Sequence, residues 1–231
     1  MKVFAISDLH LSTSCNKPMD IFGGSWENYW QEIVKNWKET VTEDDIVLIA
    51  GDISWGMTLN EALPDLKEIE VLPGTKILTR GNHDYWWQGL TNIRKNLPEK
   101  MFVIQNDSLK IENYVFCGSR GWTVNDNGEM AVEDKVIYER ELIRMELSLQ
   151  SAKKLQKADD KLICMIHYPP FNSKFENSGF TALFEKYGVN KVIYGHLHGK
   201  NVRAVLSQTK NGIDYYLTSC DQVNNKLTEI Y

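Results

Sequence analysis

The chain has 231 residues, of which 42% are hydrophobic and 25% are charged, a composition typical of soluble globular proteins. This length fits a single domain, and a formal net charge of −5 argues against broad electrostatic capture of nucleic acid. No apolar run approaches the roughly 20 residues of a membrane span, and the first residues lack a secretory-signal pattern. The four cysteines form no Cys-x-x-Cys pair, which favours reduced thiols over disulfides. We therefore expect a cytoplasmic location and no membrane partner.

The N-terminal part predicts a short strand at residues 2–6 and a helix at residues 26–40, with Ser25 as the N-cap. Six apolar residues recur at the spacing of one helical stripe, so we favour packing against a core over a surface for base stacking. They are Trp26, Tyr29, Trp30, Ile33, Val34 and Trp37.

Residues 46–50 are a continuous apolar run, which indicates a strand buried on both faces. Thr58 and Glu61 have the spacing of a capping box and predict a helix that ends before Pro73. Further strands are predicted at residues 76–79, 101–105, 109–117, 161–166 and 191–194, and closing strands at 202–206 and 213–218.

Residues 132–158 are helical in pattern and strongly charged, with only a partly apolar face. Three interpretations stay open for this stretch: a lid over a cleft, a surface for self-association, or a solvated helix. The sequence does not decide the oligomeric state.

All five histidines lie, with Asp and Asn, in short segments just beyond the carboxyl ends of predicted strands. Open α/β sheets place their ligand sites at these strand ends, so distant segments can converge on one pocket. The segments are Asp8-Leu-His10, Gly51-Asp52, Gly81-Asn82-His83-Asp84, His167 and Gly195-His196-Leu-His198.

Seven side chains of these segments offer carboxylate, amide or imidazole donors, more than the four ligands of one tetrahedral zinc. Two ions about 3.5–4 Å apart that share a carboxylate fit this number better. A nitrogen and oxygen donor set without thiolate favours Mn, Fe or Zn. Two such cations would generate hydroxide at neutral pH and stabilise the oxygens of a phosphoryl group. The donors are Asp8, His10, Asp52, Asn82, His167, His196 and His198.

With these motifs, the chain resembles the calcineurin-like metallophosphoesterase superfamily. The signature of that family runs Asp-x-His, Gly-Asp, Gly-Asn-His-Asp/Glu, His and Gly-His-x-His, and it occurs complete and in order between Val3 and His198. The closest resemblance in character is to an uncharacterised bacterial branch of predicted phosphohydrolases. The resemblance implies an α/β fold: a four-layer α/β/β/α sandwich with two central mixed sheets flanked by helices and a metal site at the strand C-terminal ends. It also implies that residues 1–231 are one metallophosphoesterase domain.

The resemblance further implies roles for individual residues. His83 would protonate the leaving oxygen or stabilise its charge without binding metal, and Asp84 would orient its ring. Asp52 would bridge two metal ions. The first ion would be bound by Asp8, His10, Asp52 and His198, and the second by Asp52, Asn82, His167 and His196.

Two arginines are candidates for binding the phosphate. Arg80 directly precedes the Gly81-Asn82-His83 motif and would clamp a phosphate oxygen, or else form a structural ion pair. Arg120 is a second candidate. Related protein phosphatases carry Asp-Arg-Gly after the second motif, where this chain has Asp52-Ile-Ser, so a phosphoprotein substrate is less favoured.

Several aromatic residues lie beside the motifs in sequence, and Trp86 is the one we expect to bind substrate by stacking on an aromatic leaving group or base. Core packing explains any single one of them as well. The set comprises Trp55, Tyr85, Trp86, Trp87 and Trp122.

These observations predict a metal-dependent phosphoesterase that uses a metal-bound hydroxide on a small-molecule phosphomonoester or phosphodiester. The main alternative is a nuclease or cyclic-nucleotide phosphodiesterase, although the acidic balance disfavours a nucleic-acid partner. A non-catalytic binding scaffold on the same fold is a further alternative. A structural zinc module would need Cys-rich sites that this chain lacks.

Overall fold

The structure is a computed structural model that describes residues 1–126, 130–199, 202 and 204–231, and within them the chain forms two β-sheets. The helices are α1 (Tyr29–Thr40), α2 (Leu59–Glu70), α3 (Leu90–Asn96), α4 (Val132–Leu155) and α5 (Gly179–Tyr187), with 3₁₀ turns at Met19–Phe22 and Gly24–Trp26. The strands are β1 (Val3–Ile6), β2 (Ile46–Ile49), β3 (Thr75–Thr79), β4 (Met101–Ile104), β5 (Ser108–Ile111), β6 (Tyr114–Ser119), β7 (Lys161–Ile166), β8 (Lys191–Tyr194), β9 (Ser207–Lys210), β10 (Ile213–Leu217) and β11 (Thr228–Glu229).

Both sheets are mixed and have parallel centres. The N-terminal sheet has the strand order β11-β1-β2-β3-β4, in which β1 to β4 are parallel and β11 is antiparallel to β1. The C-terminal sheet has the order β5-β6-β7-β8-β10-β9, in which only the edge strands β5 and β9 pair in the antiparallel sense. Antiparallel strands therefore lie only at the edges.

The side chains of each central strand alternate between two cores, as the two-residue period of a strand requires. In β1, Val3 and Ala5 pack between the two sheets, whereas Phe4 and Ile6 join the core beneath α1 and α2. In the C-terminal sheet, Phe116 faces the N-terminal sheet and Cys117 packs in the core beneath α4 and α5. The layers are helices, sheet, sheet and helices, which confirms the predicted four-layer architecture.

Helix α1 begins three residues later than the sequence predicts. Its N-cap is Asn28, in a left-handed conformation (φ 53°), and Ser25 lies in the preceding 3₁₀ turn, so the prediction of Ser25 as N-cap is wrong. The extended backbone of Glu27 (ψ 120°) separates the turn from the helix. The predicted apolar stripe still packs against the core, with Ile33 and Trp37 fully buried.

Two predicted strands also differ from the strands in the structure. Residues 109–117 form two strands because Glu112 (φ 50°) turns the chain into the β5–β6 hairpin. The predicted strand at 202–206 is wrong for its described residues, 202 and 204–206, and residue 203 lies outside the described part. The apolar side chains of Val205 and Leu206 are exposed, and the strand that follows, β9, is a polar edge strand without an apolar pattern. Helices α3 and α5 were not predicted.

Helix α4 lies in the outer layer against the C-terminal sheet. Met145, Leu149 and Ala152 pack in the core beneath it, and Glu141 is also buried. The helix ends at Leu155, whereas the pattern predicts residue 158. The three interpretations of this helix, as a lid, a surface for self-association or a solvated helix, stay predictions.

Two expectations from composition concern thiols and membranes. All four cysteines are free thiols in the structure. None of the helices in the described ranges is both long and apolar enough to cross a bilayer.

The predicted capping box at α2 is confirmed: the Thr58 side chain accepts from Glu61 N, and the Glu61 carboxylate accepts from Thr58 N. We expect Thr58→Ala to lower the free energy of unfolding by about 1 kcal/mol, measured by urea denaturation. Thr58→Ser keeps the hydroxyl and serves as the control. Equal stability of the Ala and Ser variants would show that the box contributes nothing.

Candidate metal centre

Five loops meet at the seam where the carboxyl ends of the two sheets adjoin. The loops after β1, β2 and β3 come from the N-terminal sheet, and those after β7 and β8 come from the C-terminal sheet. A hydrogen bond across the seam joins His167 Nδ1 to the Ala50 carbonyl at 2.9 Å. These loops bring together the seven predicted donors, which we call the seven-donor cluster: Asp8, His10, Asp52, Asn82, His167, His196 and His198.

Four members of the cluster form a compact group. Donor atoms of Asp8, His10, Asp52 and His198 all lie within 4.8 Å of one another. The Nε2 atoms of His10 and His198 face each other at 3.3 Å, and His10 Nε2 is 3.6 Å from Asp52 Oδ2. This is the group predicted for one metal ion.

The remaining donors converge on a single amide oxygen. Asn82 Oδ1 lies 2.8 Å from His167 Nε2 and 2.9 Å from His196 Nδ1. His167 Nε2 is also 3.4 Å from Asp52 Oδ2. Asp52 Oδ2 thus lies between the two groups, where a bridging ligand is predicted.

The donor chemistry fits bound cations. Asp52 Oδ2 is buried and has no hydrogen-bond partner in the described part of the chain, with the nearest ring nitrogens at 3.4 and 3.6 Å. An unpaired buried carboxylate oxygen is costly, and a cation between it and the surrounding imidazoles removes that cost. A buried set of imidazole, carboxylate and amide donors suits first-row divalent metals.

Burial and neighbouring charges set the protonation of the rings. Burial lowers the pKa of His10 to about 4, and burial together with His167 lowers the pKa of His196 to about 4. Burial also disfavours charge on His167, but the carboxylates of Asp52 and Asp8 outweigh it and raise the pKa of His167 to about 9. His10 and His196 are therefore neutral at pH 7, as metal ligands must be, and a cation has to displace the proton of His167.

The backbone at the cluster is strained. Asp8 (φ 56°), His10 (φ 47°), Asp52 (φ 52°) and His196 (φ 71°) all adopt the left-handed conformation that is uncommon for residues other than glycine. Each costs on the order of 1 kcal/mol and persists only where the surroundings impose it. Here the loops impose it on each other, because His10 N donates to the Asp52 carbonyl at 2.9 Å. Such clustered strain is typical of functional sites.

Two glycines of the motifs are required by close packing. A Cβ on Gly81 would overlap the Asp52 carboxylate, at 2.8 Å from its Cγ. A Cβ on Gly195 would lie 2.6 Å from Asp8 Oδ2. The loops can approach this closely only because these positions lack side chains.

Asp84 organises the backbone of the loops. Its carboxylate, which is completely buried, accepts hydrogen bonds from the backbone of Asp52, Ile53, Ser54 and Gly81 and from Trp86 Nε1, at 2.8 to 3.3 Å. Burial and the charge of Asp52 raise the pKa of Asp84 to about 6.

This arrangement corrects the expectation that Asp84 orients the ring of His83. Both carboxylate oxygens of Asp84 are engaged elsewhere, and within the described ranges no hydrogen bond joins Asp84 to the His83 ring. The residue that supports His83 is Asp52, whose Oδ1 accepts from His83 N at 2.8 Å.

The His83 ring lies beside the cluster and is half-buried. Its centroid is 5.6 Å from that of His10 and 4.6 Å from that of Trp55. Burial lowers its pKa from the ordinary value, against the opposing charge of Asp52. Its Nδ1 has no hydrogen-bond partner in the described part of the chain. His83 is therefore placed to face a ligand at the cluster.

The expectation that Trp86 stacks on substrate is corrected by its burial. Trp86 is 0% exposed, and its indole nitrogen is bonded to Asp84, so neither ring face is available to a ligand. Trp87 is buried in the same core. The tryptophan that lies beside the site is Trp55, whose ring stacks on the His10 ring with 4.8 Å between the centroids.

The two predicted arginines differ in their partners. Within the described ranges Arg80 forms no ion pair, and its Nε is buried without a hydrogen-bond partner. Arg120 lies 3.6 Å from Glu141 Oε1 and over the ring of Trp122. Arg120 thus has an ion-pair partner, whereas the structural ion pair considered for Arg80 is not found among the described residues.

Sequence reasoning missed the groups that hold Asp8. Its Oδ2 accepts from Ser7 Oγ at 2.6 Å and from Ser219 Oγ at 2.7 Å. It also missed Tyr168, whose ring centroid is 4.2 Å from that of His196. Ser7 and Tyr168 each adjoin a motif residue in the sequence. Ser219 carries no such signal, because it is 211 residues away from Asp8.

Comparison with known proteins identifies related sequences and folds. The family described as calcineurin-like phosphoesterase matches residues 1–200. An uncharacterized protein, MJ1445, of Methanocaldococcus jannaschii is 28% identical over 129 residues, which cover 54% of this chain and 67% of that protein.

Solved structures share the fold at low identity. Protein TT1561 of Thermus thermophilus has a TM-score of 0.57 and 13% identity, covering 98% of this chain and 96% of that one. Phosphopantetheinyl hydrolase (PptH) of Mycobacterium tuberculosis has a TM-score of 0.53 and 12% identity, with 99% and 95% covered. Protein AQ665 of Aquifex aeolicus, of unknown function, has a TM-score of 0.51 and 16% identity, also with 99% and 95% covered.

The close approach of Gly81 to Asp52 gives a test with a matched control. We expect Gly81→Ala to weaken Mn²⁺ binding at least tenfold, measured by isothermal titration calorimetry, because the added methyl displaces the Asp52 carboxylate. Gly89→Ala adds the same methyl where no heavy atom lies within 4 Å and should bind Mn²⁺ like the wild type. Equal affinities of the two variants would contradict the proposed position of Asp52.

Proposed function

Because the chain belongs to the calcineurin-like phosphoesterase family, we propose that it hydrolyses phosphate esters with two divalent cations held by the seven-donor cluster. The observation that carries this proposal is the position of Asp52 Oδ2, buried without a hydrogen-bond partner between two groups of donors. Two groups of donors on either side of one carboxylate support two ions, for which Asp52 would be a common ligand.

The two donor groups support one set of ligands for each ion. Asp8, His10, Asp52 and His198 would hold one cation, and Asn82, His167 and His196 would hold the other together with Asp52. The nitrogen and oxygen donors suit Mn, Fe or Zn. Cations held there would lower the pKa of a water molecule toward neutrality and offset the charge of phosphoryl oxygens.

His83 acts at the leaving group. Its half-buried ring lies beside His10 without joining the first donor group, which leaves His83 outside the proposed metal ligands. The backbone bond from His83 N to Asp52 Oδ1 fixes the residue relative to the proposed bridging carboxylate. A proton placed by His83 on the leaving oxygen lowers the cost of breaking the ester bond.

Arg80 binds a phosphate oxygen. Its guanidinium has a buried, unpartnered Nε and no ion pair within the described ranges. Arg120 is neutralised in part by Glu141 and contributes less. We infer that the substrate is a small phosphate ester; the formal net charge of −5 makes nucleic acid a less favoured substrate.

The proposal is tested with p-nitrophenyl phosphate and bis-p-nitrophenyl phosphate, each assayed on metal-free protein and after addition of Mn²⁺. We expect hydrolysis only with metal present, and faster hydrolysis of the monoester or diester identifies the ester class. Absence of hydrolysis for both esters and a panel of alkyl phosphates, in protein that holds two equivalents of metal, would contradict the proposal.

His83→Ala should reduce kcat for an alkyl phosphate by about 10²–10⁴-fold, the usual contribution of one acid or base. The loss should be smaller for p-nitrophenyl phosphate, because its leaving group departs with little help from an acid. Mn²⁺ binding, measured by calorimetry, should stay unchanged and serves as the control. Full activity of the variant on the alkyl ester would rule out the role of His83 as an acid.

A further inference from the structure

A cavity of about 460 Å³ lies directly beside the seven-donor cluster. His196 forms part of its wall, and the ring of Tyr168, next to His167 in the chain, also faces it. Ligand pockets are typically about 300–1,000 Å³, so the volume suits a small organic group. The other apolar walls come from Val124, Phe171, Phe175, Tyr194 and Leu197.

The free surface of this cavity is mainly apolar, and two of its polar residues are bonded within the fold. Asn172 Nδ2 donates to Glu176 Oε2 at 2.6 Å, and Asn172 Oδ1 accepts from two backbone amides of the same loop. The Tyr194 hydroxyl donates to the Val205 carbonyl at 3.4 Å. A ligand therefore meets mainly aromatic and aliphatic side chains.

The described lining of the cavity offers little to an anionic occupant. Among the described residues that line it there is no lysine and no arginine. The one carboxylate among them, Asp126, is exposed and accepts from Ser173 N at 2.8 Å. A second phosphate or a nucleic-acid backbone would find no cationic side chain among these residues.

The walls belong to the core of the C-terminal sheet. Phe171 contacts Phe175, with ring centroids 5.0 Å apart, and packs edge-on against Tyr194 at 5.5 Å and Tyr215 at 5.4 Å. Phe171 and Tyr215 are buried. The cavity is thus preformed, and its occupant does not have to order the walls.

We propose that this cavity, the apolar pocket, binds the alcohol portion of the substrate, and that the substrate class is the phosphate esters of apolar alcohols. The assignment rests on the proposed function, because the phosphate end of such an ester would lie at the seven-donor cluster while its alkyl or aryl end fills the pocket. The described lining, which is mainly aromatic and aliphatic, favours such an alcohol over a group that carries several charges.

The test measures binding of n-alkyl phosphonates with two to eight carbons, which cannot be hydrolysed, to the Mn²⁺-loaded protein by isothermal titration calorimetry. Burial of one methylene contributes about 0.8 kcal/mol, so we expect the dissociation constant to fall about fourfold per carbon until the pocket is filled. Affinity that does not depend on chain length, or tighter binding of a nucleoside monophosphate than of octylphosphonate, would overturn the assignment.

Two variants locate the binding. Val124→Trp fills the pocket and should weaken octylphosphonate at least tenfold while leaving ethylphosphonate within twofold of wild type. Val71→Trp makes the same change at a residue that is 76% exposed and should match wild type for both ligands. Phe175→Ala removes part of one wall of the pocket. In this variant the alkylphosphonate that binds most tightly should have more carbons than in the wild type. Wild-type binding by Val124→Trp, or by Phe175→Ala if Val124→Trp does not fold, would overturn the assignment.

Binding and turnover separate this inference from the proposed function. Chain-length dependence that disappears in Val124→Trp supports the apolar pocket even if no ester is hydrolysed, and in that case only the proposed function fails. Hydrolysis of ethyl and octyl phosphates with equal KM supports the proposed function and overturns the apolar pocket.

Discussion

The unpaired carboxylate oxygen of Asp52 is the constraint on which the site depends. It lies buried between His10 and His167, at distances too long for good hydrogen bonds, in a seam closed by two sheets. A carboxylate in that position is tolerable only if positive charge accompanies it, from a proton on His167 or from cations. We infer that bound metal would replace the His167 proton as the positive charge beside this carboxylate.

The fold brings the donors together through parallel strands in both sheets. Parallel strands end at the same edge, so the loops after β1, β2 and β3 meet those after β7 and β8. The close approach of these loops requires glycines at positions 81 and 195 and left-handed backbone at four residues of the seven-donor cluster. Asp84 accepts backbone hydrogen bonds from the loops after β2 and β3 and so fixes their relative position. The left-handed backbone of the cluster residues lowers the stability of the fold at this edge. Packing in the three hydrophobic cores stabilises the fold and offsets this cost.

The central strands and most residues of the site could be predicted from the sequence, because the polar motifs directly follow the apolar runs that form the strands. Apolar runs gave the central strands, and the motif residues directly after them are the ones that the structure brings together. Orientation could not be predicted. Trp86 and Trp55 both adjoin motifs, but only tertiary packing decides that Trp86 enters the core and Trp55 faces His10. Asp84 follows His83 in sequence yet points to other backbone groups. The contribution of Ser219 depends on a contact across 211 residues, for which a single sequence carries no signal.

The most direct test of this account is the number of cations that one chain holds. The measurement is inductively coupled plasma mass spectrometry on protein loaded with Mn²⁺ and then desalted, with Asp52→Asn prepared in parallel. The account predicts two equivalents per chain for the wild type and fewer than two for Asp52→Asn, since that oxygen is shared. A wild-type protein that never exceeds one equivalent at any loading, or an Asp52→Asn variant that retains two, would contradict it.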